Sequence, residues 1–288
     1  MGSNLLTKIE TEYQGLSKGQ KRIADYILAH FDKASFMTAA KLGKLVGVSE
    51  STVVRFAAEL GYDGYPELQR ALQEIIRVRL TAVQRLEIAS NRVDEGNILN
   101  TVLTSDMEKI KVTLEQVDRI AFQKTIEAIL GARHIYILGV RSSGALASFL
   151  GFYFNLMFQN IRLVHTSSVS EMFEQILNLV PGDVVIGISF PRYSKRTIQA
   201  LQYAKDSGAT VISLTDSNTS PLVPLSHIAL TARSDMVSFA DSLVAPLSLI
   251  NALIVAISMQ KKEEVTRNFE KLEEIWEEYH VYEKPSEE

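Results

Sequence analysis

The segment Ile137–Ala147, ILGVRSSGALA, carries an apolar, strand-like run through a turn of glycine and serine into a helix start of small residues. Ser142 and Ser143 place hydroxyls beside unobstructed backbone N–H groups at the first turn of that helix, where the helix dipole favours an anion. The chemistry is that of a phosphate seat. It is not the seat of a common nucleotide fold, because no G-x-x-x-x-G-K-[ST] run is present and Gly139 and Gly144 do not complete G-x-G-x-x-G. Plain helix capping is the simpler use of the same two serines.

A second constellation lies in Ala39–Tyr62, AAKLGKLVGVSESTVVRFAAELGY. The spacing is that of a helix-turn-helix: Gly43 sits where two helices approach most closely, Gly47 takes a left-handed turn, and Val48 and Val53 fill the wedge with Leu42, Val46 and Phe56. Ser49 is placed to cap the second helix, so Ser51, Thr52 and Arg55 face outward from its first turns. Short hydroxyls and a guanidinium there can reach phosphates and base edges, and Arg reads guanine through paired donors. Any compact helical bundle can show such spacing, and Arg55 is then a surface residue. A metal centre or other cofactor is not expected, since the chain has no cysteine and His30, His134, His227 and His280 form no i, i+4 pair.

The elements that must position these groups change character near the middle of the 288 residues. From Ser17 to about Val117 the apolar spacing is helical, with Ile23, Ile27, Leu28 and Phe31 on one face. After Arg133 come short runs rich in branched residues, HIYILGV, DVVIGISF, TVISLTD and HIALTA, separated by helical stretches at Ala145–Phe158 and Ser194–Ser207. That alternation predicts a parallel sheet with crossover helices behind an all-α first domain. Residues 77–123 contain no proline and only Gly96, so they read as connecting helices. The apolar stretch Leu243–Met259 is broken by Pro246, Ser248, Asn251 and Ser258 and reads as a buried core helix, so no membrane span is expected. No secretory signal pattern opens the chain, and a cytoplasmic protein is expected.

Net charge is −4, but residues 1–80 carry 11 Lys and Arg against 9 Asp and Glu. That small positive surplus is a weak nucleic-acid signal by itself. The run EKLEEIWEEYH near the end reads as a solvated helix face with Trp276 and Tyr279 docking.

LGYDGYPELQRAL, following the helix-turn-helix, resembles the motif that ends the N-terminal domain of MurR/RpiR-type bacterial transcription regulators, and LSKGQKRIADYILAHF resembles that domain's first helix. The resemblance covers residues 5–77. In that family the second domain is a SIS, or sugar isomerase, domain, and the chain resembles one from Phe122 to Gln260. The resemblance implies that a sugar phosphate is held by two loops, each following a strand. Ser142 and Ser143 form the first. The second is ISFPRYSKRT, in the place of the family's S-x-S-G-x-T, matching at Ser189 and at Ser194 (serine for threonine) and departing with Pro191 and Arg192. Arg192 offers paired charged donors that a glycine lacks, which suits a sugar-acid phosphate; a salt bridge within an oligomer is its other reading. Glu171 is the acid nearest the expected pocket, as a sugar-hydroxyl ligand or, less simply, as a base for isomerisation, with His165 behind it. Asp216 and Asp241 read as caps at strand-to-helix transitions.

The expected organisation is a DNA-binding domain at 1–77, connecting helices at 78–121, a SIS domain at 122–262 and an acidic helix and tail at 263–288. The implied function is a regulator of carbohydrate metabolism, not an enzyme, whose binding to a palindromic operator is modulated by a phosphorylated sugar or sugar acid. A phosphosugar isomerase with a helical assembly domain and a DNA-binding architectural protein are the rivals. The surplus apolar surface of Leu243–Met259 and of Phe152, Tyr153, Phe154 and Phe158 predicts a homodimer or homotetramer.

Overall fold

The computed structural model describes residues 5–79, 81, 83–86, 95–165, 168–235 and 240–282. Residues 80, 82 and 87–94 of the expected connecting helices and 283–288 of the expected tail lie outside the described residues. The chain divides into two compact units, Met1–Ile88 and Ala89–Glu288.

The first unit is helical: α1 (Leu5–Glu12), α2 (Lys18–Ala34), α3 (Ala39–Val46), α4 (Glu50–Glu59) and α5 (Tyr65–Arg79). Its helix starts are written locally. Ser17 and Gln20 form a reciprocal capping box on α2, Thr38 caps α3 and Ser49 caps α4. The core takes one apolar stripe from each helix, with Ile9, Ile23, Ile27, Leu42, Val53, Phe56, Leu60, Leu68 and Leu72 fully buried.

The second unit is built on five parallel strands: β1 (Ile135–Gly139), β2 (Ile161–Val164), β3 (Val184–Ile188), β4 (Thr210–Thr215) and β5 (Ile228–Thr231), in the order β2-β1-β3-β4-β5. Around it lie α6 (Ile98–Gln116), α7 (Arg119–Leu130), α8 (Ser142–Met157), α9 (Val169–Ile176), α10 (Lys195–Asp206), α11 (Val244–Gln260) and α12 (Lys262–Glu278). Alternation on the strands makes two cores. Ile135, Ile137, Ile186 and Leu214 face α7, α8 and α11; Tyr136, Leu138, Val185 and Val211 face α9 and α10. The sheet holds one strand beyond the four apolar runs. β2 is the edge strand that leads to His165, and Arg162 interrupts its hydrophobic pattern, which keeps it out of the four apolar runs.

The docking expected of the terminal aromatics does not hold for Tyr279, which is 71% exposed. Trp276 instead meets Tyr282 edge-on, ring centres 5.2 Å apart. Helix α12 is too acidic to offer a wide apolar stripe and buries none of its residues fully. Among the described residues no single helix is long and apolar enough to cross a membrane.

Candidate functional site

Two sites follow from this scaffold, one in each unit. In the first, α3 ends at Gly47 in the left-handed conformation (φ 70°), which turns the chain into α4. A side chain at Gly43 would bring its Cβ within 2.9 Å of the Val48 carbonyl oxygen, so close approach of the two helices demands glycine. Arg22 on α2 donates to the Gly47 carbonyl at 3.1 Å and ties the turn to the bundle. Tyr65 does the same from α5: its buried hydroxyl donates to the Met37 carbonyl at 2.9 Å, just before α3, and burial pushes its pKa up to about 12. Gln69 adds a bond to Met37, and Gln73 one to Ser35. This gives the motif Gly64-Tyr65-Pro66 a physical role, that of a staple across the helix-turn-helix.

On α4, Ser49, Ser51 and Arg55 are exposed and Thr52 is half-buried. Ser49 accepts from the Thr52 N–H at 3.3 Å and shares hydrogen bonds of 2.9 Å with the hydroxyls of Ser51 and Thr52. Arg55 Nε donates to the Ser51 carbonyl at 3.3 Å, which leaves the rest of its guanidinium toward solvent. The outward face of α4 is therefore a rigid, polar surface carrying one cation in its second turn. Thr52 departs from the expected outward pose, since the space beside Gly19 of α2 is taken by its methyl group.

The second site lies where the strand order reverses. β2 lies on one side of β1 and β3 on the other, and crevices at such a switch point are the natural ligand positions of open parallel sheets. Gly139 and Ile188 are register partners, so the loops leaving β1 and β3 start side by side. The first is very tight: a Cβ at Gly139 would fall 2.3 Å from the Ser143 carbonyl oxygen. Helix α8 then begins without a side-chain cap, its N-cap position being Arg141. Capping is thus not what Ser142 and Ser143 do. Ser142 is exposed and Ser143 is buried at the helix start.

In the second loop Ser189 is buried, and its hydroxyl accepts from the Ser194 N–H at 3.2 Å, leaving its own proton for a further acceptor. Ser194 caps α10. Arg192 is exposed between them. Glu171 stands in the first turn of α9, on the same edge of the sheet and one strand over. Its carboxylate bonds neither serine loop among the described residues, and its backbone N–H donates to Ser168 at 3.2 Å. His165 follows β2, and its backbone is held by Gln175.

The aspartates expected as caps act otherwise. Asp216 is buried and accepts from the Tyr193 hydroxyl at 2.8 Å, which links the β3–α10 loop to the end of β4. Asp241 is not at the start of α11, whose N-cap position is Leu243. Sequence reasoning also missed Arg141, exposed at the switch point with φ 58° and ψ −126°, a backbone region that favours glycine. Its only sequence signal was a cation inside a glycine–serine turn.

Comparison with known proteins identifies both domains. The helix-turn-helix domain of the rpiR family matches residues 3–77, and the SIS domain matches residues 128–256. The chain is 28% identical to an HTH-type transcriptional regulator of Haemophilus influenzae, over 88% of this chain and 90% of that one. It is 26% identical to the HTH-type transcriptional regulator HexR of Escherichia coli, over 94% and 93% of the two chains. Among solved structures, the sugar isomerase domain of an RpiR transcription factor from Sphaerobacter thermophilus is 28% identical with a TM-score of 0.59, covering 62% of this chain and 99% of that one. The Vibrio vulnificus NanR protein, solved with ManNAc-6P, shares the fold at 24% identity and a TM-score of 0.58, over 94% and 99% of the chains.

Proposed function

Starting from a chain that is a transcriptional regulator of the RpiR family, with a helix-turn-helix domain followed by a SIS domain, we propose that it binds operator DNA through α4 and releases or grips it according to a phosphorylated sugar or sugar acid seated at the switch point. The observation that carries this reading is the pair of serine loops, side by side at the end of β1 and β3, in a chain that also holds a helix-turn-helix. Ser142, Ser143 and the uncapped start of α8 offer hydroxyls and N–H groups to the phosphate, and Ser189 offers a third hydroxyl. Arg141 and Arg192, both exposed on this edge, supply charge for a ligand more acidic than a neutral sugar phosphate. Ser194 supports the seat by capping α10, and Glu171 approaches from β2 for a sugar hydroxyl. NanR, of the same fold, holds ManNAc-6P, which supports the ligand class.

On DNA, Ser49 and Ser51 contact phosphates, Thr52 backs them through its hydrogen bond to Ser49, and Arg55 reaches a base edge. Arg55→Ala weakens operator binding by about 1–3 kcal/mol and leaves the fold intact, as a mobility-shift titration at fixed salt measures; unchanged affinity removes Arg55 from the interface.

The protein acts as a homodimer or homotetramer. The support is helix α6, which is inside out: its buried residues are Lys109 and Thr113, while Leu99, Leu103, Met107, Ile110 and Leu114 form one stripe between 40% and 70% exposed. Two reading heads then span a palindrome at about 34 Å, and a small subunit rotation on ligand binding changes that spacing. A thermal-shift screen of sugar phosphates and sugar-acid phosphates, followed by operator titration with each hit, tests the whole reading. Turnover of a hit between aldose and ketose forms supports the isomerase instead, and a protein that binds DNA but no phosphate ester supports the architectural reading.

A further inference from the structure

We propose a second anion site, at the opposite edge of the sheet from the serine loops, that takes the dianionic phosphate group of a small metabolite. The first turns of α12 form one wall of a cleft of about 520 Å³, a volume typical of small-molecule sites. The facing wall is the end of α8, at Met157 and Phe158, with the turns that lead into β1 and β2.

Both walls are tied down. The Asn160 side-chain amide donates to the carbonyls of Ala132 and Arg133 at 3.0 and 2.8 Å, fixing the two turns to each other. Asn268 on α12 donates to the Leu156 carbonyl at 3.0 Å and holds the helix against α8.

The charge inside is what calls for a ligand. Lys261, Glu264, Asn268 and Lys271 fall at i, i+3, i+7 and i+10, one face of the helix, with Arg267 beside them. Helix α12 carries seven glutamates, yet only Glu264 lines the cleft. Lys261 is already used: its ammonium pairs with Glu264 and lies 4.8 Å from the centre of the Phe158 ring. That hydrogen bond holds the Glu264 carboxyl below its ordinary range, so it is ionised at neutral pH. Arg267 adds to the pull on Glu264 through space without closing an ion pair, and Lys271, four residues on, where like charges repel along a helix, closes none among the described residues. Three cations against one carboxylate leave a surplus of two positive charges. A phosphate monoester dianion matches that surplus, while a monocarboxylate meets half of it. Arg267 supplies the planar fork for two phosphate oxygens and Lys271 the point charge, with Phe158 and Met157 beside the rest of the molecule.

The test uses the full chain carrying Ser142→Ala and Ser189→Ala, so that the switch-point seat is silenced, titrated calorimetrically with inorganic phosphate at ionic strength held constant with sodium chloride. One saturable site is expected, weakened at least tenfold by Arg267→Ala with Lys271→Ala and partly restored by Arg267→Lys. Circular dichroism and the melting midpoint without phosphate check that α12 stays folded. No saturable binding to the serine-silenced protein, or equal affinity in the Arg267/Lys271 variant, overturns the site. Neither result involves DNA or the serine loops, so the regulatory reading is tested separately.

Discussion

Two helix starts in this chain are built in opposite ways. Helix α4 is closed at its N-terminus: Ser49 takes the Thr52 N–H, and its hydroxyl bonds those of Ser51 and Thr52. Helix α8 is open, with Arg141 at its N-cap position and no side chain on its first N–H groups. A helix that reads a long polyanion must present side chains at fixed positions, and capping makes it rigid. A helix that seats one small phosphate works through its own backbone and must leave those donors free.

The largest expected effect comes from breaking the closed start. Gly43→Val drives a Cβ against the Val48 carbonyl at 2.9 Å, and the opposing atom is backbone that cannot swing away. The first unit should lose about 3 kcal/mol. A urea titration followed by helical circular dichroism measures this, and loss of operator binding should follow the loss of fold. A mild effect would mean that α3 and α4 slide apart easily, and the rigidity argued for α4 would go.

Within the second unit, β3 carries the same contrast between its own two ends. Asp183, just before the strand, is fully buried; burial alone raises its pKa, but the hydrogen bonds from Arg133, the Val180 N–H and His134 outweigh it, and the net shift is downward. The distances are 2.9 Å to Arg133 Nε and 3.2 Å to His134 Nδ1. A depressed folded pKa means stability that is full above the unfolded value of about 3.9 and is lost as pH falls through the folded value. Urea midpoints taken from pH 6 down to pH 2 should therefore fall more steeply for wild type than for Asp183→Asn. Parallel curves would show that this end of the strand is not locked by charge.

The legibility of these features from sequence follows their range. Gly43, Gly47 and Ser49 were readable because a helix-turn-helix fixes residue type within a dozen positions, and the structure places each at its close approach, turn or cap. Branched runs exposed β1, β3, β4 and β5, whereas β2, an edge strand with Arg162 outward, lacked the pattern. The first serine loop was read from its own residues and the second from the family resemblance, but the bonding of neither was legible. Tyr193 and Asp216 are 23 residues apart and meet only through the sheet. The positive φ of Arg141 leaves no trace in residue type, because glycine is the usual occupant and arginine conceals it.

Removing one hydroxyl from each helix start sharpens the comparison at about 1 kcal/mol. Ser49→Ala deletes a cap and should lower the stability of the first unit by about that amount. Ser142→Ala removes no cap, so the melting midpoint of the unliganded protein should stay at wild type while affinity for the thermal-shift hit falls at least tenfold, the equivalent of about 1.4 kcal/mol. Equal stability losses in the two variants would erase the distinction between closed and open starts.

The last effect carries the opposite sign. Arg141 sits at φ 58° and ψ −126°, where a residue with a Cβ is strained by about 1–3 kcal/mol. Arg141→Gly removes the strain and adds the greater unfolded-state freedom of glycine, a cost of about 0.5–1 kcal/mol. The balance favours the variant by about 1 kcal/mol, so the second unit should unfold at higher urea. If the arginine is kept at that position for its charge, the same variant should bind the acidic ligand less tightly and shift the operator response to higher ligand concentration. Stability and sensing would then move in opposite directions in one protein, measured by urea unfolding and by mobility shift across a ligand series. A variant that is stabilised with an unchanged ligand response would place the guanidinium outside the seat, leaving the open start of α8 and Arg192 to hold the anion.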